Sequence, residues 1–349
     1  MPCPRLEWDI GTAYDLFVSL KVVHQPLAYG LRASWAAGVR SRLPLDLRET
    51  LDLFSTAVQL PMHWVHNLPK PKSGAVVIDQ LSKLHAPERL PVLAFNPVFK
   101  SPVSDILLAA KKGKKWTDSE AKVLRDSTWG SQHMPTSEYL ELLHKFWSRK
   151  DEMGEKILPA LKAYQENFFF EEEERILPAL KIGQAHAQKR SGCVAVKALL
   201  EELSEGVRFE ELINIPDLIL VPSFWSAPFV FYDRIDGHTN MMLYGSRPAA
   251  FALIPGEVIP DSLVRGLKAL ADPTRLQILR NLAAGPQTPT QLARDLRLRT
   301  PTVTHHMFEL RLAGLVQVTL SSEGERLYST RLEGIISTHE TLEKFINGE

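Results

Sequence analysis

Between Asp272 and Gly314 the chain carries three helix starts and two helix stops, and this spacing leaves room for little except short helices at fixed intervals. Asp272-Pro273, Thr288-Pro289 and Thr300-Pro301 each join a side chain able to cap a helix to a proline whose fixed φ suits the first helical position. Gly285-Pro286 reads as a left-handed stop followed by a residue that cannot continue a helix, and Gly314 reads as the next stop. The pattern predicts one helix after Asp272, then two shorter ones separated by a tight connection.

The apolar residues fill in the inner faces. Leu276, Ile278, Leu279 and Leu282 turn the first helix toward a core, Leu292, Ala293 and Leu296 the second, and Val303, Met307 and Leu310 the third. The last set follows i, i+4 and i+7, which leaves Thr302, His305 and Glu309 on the opposite side. Two short helices joined this way are the helix-turn-helix pattern, whose second helix enters a DNA groove. Short hydroxyl and imidazole groups reach phosphates or base edges without holding a helix away from them. Thr302, Thr304, His305 and His306 are therefore the base-proximal candidates on a reading helix at 301–313, with Arg299, Thr300 and Arg311 beside them. Two strand-like runs, Val316-Gln317-Val318-Thr319-Leu320 and Arg326-Leu327-Tyr328-Ser329-Thr330, then flank Ser321-Ser322-Glu323-Gly324-Glu325 and predict a hairpin wing at 316–331.

Charge is informative only locally. Lys and Arg total 41 and Asp and Glu total 41 over the 349 residues, so no global field marks the chain as a nucleic-acid binder. From Pro273 to Arg331, however, eight arginines stand against four carboxylates, a surplus consistent with phosphate contacts.

Three stretches in order, Ala269-Leu270-Ala271-Asp272-Pro273-Thr274-Arg275-Leu276, Thr302-Val303-Thr304-His305-His306-Met307, and Leu310-Arg311 with Ala313-Gly314-Leu315-Val316, resemble the ArsR family of winged-helix regulators. The resemblance covers about 261–331 and implies a homodimer on double-stranded operator DNA, a repressor in many members, whose affinity changes with an inducer. The sequence departs from the family pattern at the wing tip, where Glu323 and Glu325 replace basic residues and leave Arg326 as the wing's phosphate contact, and at Phe308-Glu309. The metal sensors of that family carry cysteine pairs on the helix before the reading helix. Gln291 to Leu296 has neither cysteine nor histidine, and His305 and His306 point about 100° apart on a helix, so no metal site is expected.

The region before Pro260 reads differently. Helical spacing dominates 1–205, with prolines too dense between Leu60 and Pro102 for long helices and a capping box at Thr117 and Glu120. The hexapeptide Ile157-Leu158-Pro159-Ala160-Leu161-Lys162 returns at Ile176 to Lys181, and its two prolines imply kinks or helix starts. Lys111-Lys112-Gly113-Lys114-Lys115 reads as a solvated loop. Within 206–260, runs at 218–225, 229–233 and 241–244 predict strands, with Asp236-Gly237 turning a hairpin. Phe224, Trp225, Phe229, Phe231 and Tyr232 either pack that core or line a pocket for an apolar ligand. Pro248, Pro255 and Pro260 suggest a junction between units near Pro260.

The expected fold is thus α+β and mostly helical: a helical domain with a small sheet portion at 1–260, for sensing or oligomerisation, and a winged helix-turn-helix at 261–349 closed by a C-terminal helix. Two cysteines, Cys3 and Cys193, fit a reducing cytoplasmic setting, and neither a signal peptide nor a bilayer-spanning apolar run is evident. Without GxGxxG, GxxxxGK[ST], HExxH or GxSxG in the N-terminal region, the expectation is a cofactor-free regulator with DNA, a second copy and a small-molecule effector as partners. The alternatives are an enzyme fused to a winged helix and a winged helix turned protein-interaction scaffold.

Overall fold

A computed structural model describes residues 4–127, 136–209, 214–247, 259–320 and 326–347. The fold is α+β and mostly helical, as the periodicity implies, and it divides into two compact units.

The first unit, Ile10–Leu177 with Asp233–Gly237, is helical. It comprises α1 (Thr12–His24), α2 (Ala33–Ser41), α3 (Leu45–Ala57), α4 (Met62–His66), α5 (Gly74–Ser82), α6 (Ala86–Ala94), α7 (Pro102–Ala109), α8 (Asp118–Asp126), α9 (Thr136–Trp147) and α10 (Lys150–Tyr164). The short α4 to α7 follow from the proline density of this stretch. Helix α10 packs on α3 and α6, and at Gly154 it comes so close to the Ala86 carbonyl that a Cβ would strike that oxygen. Lys21 on α1 donates to the Ser55 and Val58 carbonyls at 3.0 and 3.2 Å, answering the open C-terminal end of α3. Burial lowers this ammonium to about 8. The Thr117 capping box forms as expected, with Thr117 N donating to Glu120 at 2.7 Å and Glu120 N to Thr117 Oγ1 at 3.3 Å. The repeated hexapeptide gives no helix starts: Pro159 lies inside α10 and Pro178 inside α11 (Phe170–Ser191), with a π-helical turn at Gln165–Phe169 between them.

The second unit gathers Met1–Asp9, Pro178–Tyr232 and His238–Glu349. Strands β1 (Arg5–Trp8), β3 (Asp217–Ser223), β4 (Phe231–Arg234) and β5 (Thr239–Gly245) form a sheet of order β1-β3-β5-β4. The runs expected at 218–225, 229–233 and 241–244 match β3, β4 and β5, and Asp236-Gly237 lies in the short connection from β4 to β5. Both β1 and β5 pair parallel to β3, with Leu6 opposite Leu218 and Ile219 opposite Met241. A central parallel strand buries both faces, which is why β3 is continuously apolar at Leu218, Ile219, Leu220 and Val221.

The winged helix belongs to this same unit. Helices α13 (Asp261–Leu270), α14 (Pro273–Ala284), α15 (Pro289–Asp295) and α16 (Thr300–Leu312) precede β6 (Val316–Leu320), β7 (Arg326–Thr330) and α17 (Leu332–Asn347). The hairpin forms as expected, with Val316 opposite Thr330, while the acidic tip at 321–325 and the proline-rich stretch at 248–258 lie outside the described residues. A third strand, β2 (Val207–Phe209), follows α12 (Val196–Leu203) and pairs parallel to β6, Val207 opposite Val318, so the sheet order is β2-β6-β7. Val207 and Val318 share an apolar cluster with Leu199, Leu218, Leu220 and Met242. The winged helix therefore does not hang from a linker: its wing and the upstream strands bury one common core. No helix among the described residues is long and apolar enough to cross a membrane.

Candidate nucleic-acid interface

The helix-turn-helix is built from its caps inward. Asp272 accepts from Arg275 N at 3.0 Å with Pro273 first in the helix, and Thr288 accepts from Gln291 N at 3.3 Å while the Gln291 side chain answers Thr288 N at 2.8 Å. The Arg275 backbone amide holds the Asp272 carboxyl below the usual carboxylate range, so the folded state favours its charged form. That contribution is complete above the ordinary carboxylate range and fades as the pH falls through the lowered value. Replacing Asp272 by Ala is expected to cost about 0.5–2 kcal/mol, read as a shift in urea midpoint at neutral pH that shrinks in acid.

Gly314 ends α16 in the left-handed region at φ 68, as expected, whereas Gly285 ends α14 in extended backbone at φ 161. The left-handed stop is therefore replaced at Gly285 by an extended exit, from which Gln287 exchanges backbone hydrogen bonds with Tyr328 of β7 at 2.9 Å each way. The start of the helix-turn-helix is thereby tied to the wing.

Under these helices Ile278, Leu282, Leu292, Val303, Met307, Leu310 and Leu315 form one buried core. Leu276, expected in it, is 48% exposed instead, because it lies two residues before Ile278 and a helix carries such a pair to different sides.

Of the eight candidate contact residues, Arg299, Thr300, Thr302, Thr304 and His305 are exposed at the N-terminal half of α16, and Arg326 is exposed at the base of the wing. Thr304 Oγ1 donates back to the Thr300 carbonyl at 2.9 Å, which leaves its oxygen as an acceptor. Arg299 precedes the helix with no side chain capping the first amides. His306 and Arg311 are turned away from this surface. His306 is half-buried, close enough to Asp272 to favour that carboxylate's charge, with Nδ1 buried and without a hydrogen-bond partner. Arg311 is half-buried and donates to the Ser204 carbonyl at 2.8 Å, and burial holds its guanidinium below the ordinary arginine value.

The same inward turn takes in Phe308 and Glu309. Phe308 is half-buried, its ring 6.4 Å from that of Phe229, and Glu309 approaches Arg275 at 4.0 Å. The C-terminal half of α16 is thus clamped by upstream residues, and only its N-terminal half is free to enter a groove. Of the aromatic group, Phe224 and Trp225 are fully buried against each other at 5.6 Å, Phe229 and Phe231 are half-buried, and Tyr232 is 61% exposed.

Two basic residues were not singled out from the sequence. Arg294 is exposed on α15, and Arg297 is exposed in the turn before α16 with φ 55. A run of alternating arginines, Arg297 and Arg299, across the connection is the signal that would have found Arg297.

A Helix-turn-helix domain family matches residues 270–319, from the end of α13 to the wing strand β6. The HTH-type transcriptional regulator Rv2034 of Mycobacterium tuberculosis is 36% identical over 81 residues, which are 23% of this chain and 75% of that protein. By these matches the chain belongs to the family of helix-turn-helix transcriptional regulators.

Proposed function

We propose that the chain is a DNA-binding transcription regulator of the ArsR type, a homodimer that reads double-stranded operator DNA with the N-terminal half of α16 and represses until an effector binds. One observation carries the reading: Thr300, Thr302, Thr304 and His305 form an exposed polar face whose back is a packed core, bordered by the exposed Arg294, Arg297, Arg299 and Arg326. Hydroxyl and imidazole groups suit base edges, and arginines on both sides suit the phosphates that flank a groove. The uncapped start of α16 offers backbone amides to one of those phosphates. A scaffold reading loses support, since Phe308 is packed on Phe229 rather than offered to a partner. The reading assigns no catalytic residue and no cofactor.

The second copy is proposed to dock on α13 and α17. Gly266 of α13 meets Thr338 of α17, and a Cβ at Gly334 would strike the Gly314 carbonyl, so α17 lies close against the winged helix. Its outer side leaves Leu332, Ile336 and Ile346 exposed at 62, 55 and 71%, beside Leu267 of α13 at 40%. A helix with one side packed and apolar residues on the other is suited to a symmetric partner. Replacing Ile336 and Ile346 together by glutamate is expected to give a folded monomer by light scattering, because both side chains are more than half exposed. A monomeric wild-type chain would remove the dimer from the proposal.

Selection of binding sites from a random DNA pool with the full chain tests the function. The expected product is a two-fold symmetric motif with half-sites about 10 bp or a multiple apart. A pool that shows no enriched sequence refutes it.

A further inference from the structure

Behind α16, three arginines from separate elements close around the turn Ser204-Glu205-Gly206 between α12 and β2. Arg311 of α16 donates Nη2 to the Ser204 carbonyl at 2.8 Å. Arg331, which follows β7, lays its side chain across Gly206, where a Cβ would lie 2.9 Å from its Cδ, and its Nη1 donates to the Gly314 carbonyl at 3.2 Å. Arg265 of α13 completes the group, near enough to Glu205 for that carboxylate to favour its charge. Glu205 does the same for Arg311, and Glu205 Oε2 and Arg331 Nη1 stand 3.8 and 3.4 Å from the place of a Cβ on Gly314.

These cations are not neutralised where they stand. Arg265 Nε and Nη1 and Arg311 Nη1 are buried without a hydrogen-bond partner, and burial holds both guanidiniums below the ordinary arginine value. Glu205 is exposed, with its backbone in the left-handed region at φ 54, and it makes no ion pair among the described residues. The neighbouring carboxylates are committed: Asp261, which also faces Arg265, pairs with Arg247 at 3.6 Å, and Glu201 pairs with Arg208 at 2.9 Å. Three guanidiniums against the one remaining carboxylate leave a positive excess of two. Buried donors on a cation are costly to leave unpaired, so this excess calls for an acceptor.

We propose that the site binds a small oxyanion, phosphate or the phosphate group of a small molecule, which displaces the Glu205 carboxylate and accepts from Arg265 and Arg311 with Arg331 beside them. A phosphate group carries a charge of about −1.5 to −2 at pH 7 and three strong acceptor oxygens, which matches the excess and the three directions of approach. A carboxylate brings one charge and two oxygens and satisfies fewer of these donors. The fixed fork of a guanidinium suits phosphate geometry. Since Glu205 is exposed and unpaired, moving it aside breaks no ion pair and opens the way to the buried donors. Arg311 is turned away from the reading face of α16, so the site goes beyond the DNA-binding reading and does not rest on it.

The test titrates the full chain, without DNA, with inorganic phosphate and, at equal ionic strength, with acetate and chloride. Calorimetry and thermal melting are expected to show saturable phosphate binding at about millimolar concentration or below, with a rise in Tm, at least about tenfold weaker binding of acetate, and none of chloride. Arg265→Gln is expected to weaken phosphate about tenfold or more, the loss of one charge-assisted contact, and to leave the Tm without phosphate no lower, because the replaced donors have no partner to lose. Glu205→Gln, an exposed change, removes the competing carboxylate and is expected to tighten phosphate about threefold or more. Effects of opposite sign do not arise from misfolding. Fluorescence anisotropy with DNA separates a free anion from a backbone phosphate: Arg265→Gln is expected to leave DNA affinity and its salt slope as in the wild type. A slope lowered by about one would assign the arginines to the DNA backbone and overturn the proposal. Equal binding of the three anions, absence of phosphate binding, or phosphate binding unchanged by both substitutions would overturn it as well.

Discussion

Replacing Thr302 and His305 together by alanine is expected to lower affinity for the selected DNA at least about 30-fold, while the folded state keeps its stability. Both side chains are exposed on α16 and lie three residues apart, on one side of the helix. Removing them opens no cavity, and alanine is the better helix former. A good base contact is worth about 1–3 kcal/mol, so two of them lose about 2 kcal/mol at the least. The loss should fall on the selected sequence alone, because non-specific affinity rests on phosphate contacts. Arg297→Ala and Arg299→Ala are expected to do the opposite, weakening all DNA alike and lowering the salt slope by about one each. Fluorescence anisotropy with selected and scrambled duplexes separates the two. A double variant that binds both DNAs as the wild type does would move the reading surface off this face.

Leu310→Ala is expected to cost about 2–5 kcal/mol of stability in urea denaturation, a large share of the 5–15 kcal/mol typical of a folded protein. Leu310 is 0% exposed and packs in the core with Ile278, Leu292, Val303, Met307 and Leu315, so its deletion leaves a cavity beneath the reading helix. Leu276→Ala is the matched control. That side chain is 48% exposed, and its removal should change stability by no more than about 0.5 kcal/mol. Equal losses for the two would mean that α14 faces the core with a different side.

What could be read from the sequence was whatever is decided within a turn or two of chain. Caps at Asp272, Thr288 and Thr117 need only a side chain and an amide three residues on, and the wing hairpin needs only two strand-like runs and a short loop. The pairing of β2 with β6 was not legible, because three residues carry no periodicity and their partner lies far along the chain. The same holds for β1, which lines up beside β3 across most of the sequence. That missing strand matters for the site. With β2 and its neighbours in place, Ser204 meets Arg311 and Phe229 meets Phe308, so α16 is buried on a second side that a single apolar stripe at 303, 307 and 310 does not announce. Arg311 and His306, named as contact candidates, are half-buried instead, Arg311 on the Ser204 carbonyl and His306 near Asp272.

The central claim is that the exposed N-terminal half of α16 reads sequence in DNA. The most direct measurement is the affinity of the full chain for its selected duplex and for a scrambled one of equal length, at low and at physiological salt. The account predicts that both affinities fall as salt rises and that the selected duplex stays at least about 10³-fold tighter at physiological salt. A ratio near one at every salt concentration would contradict it.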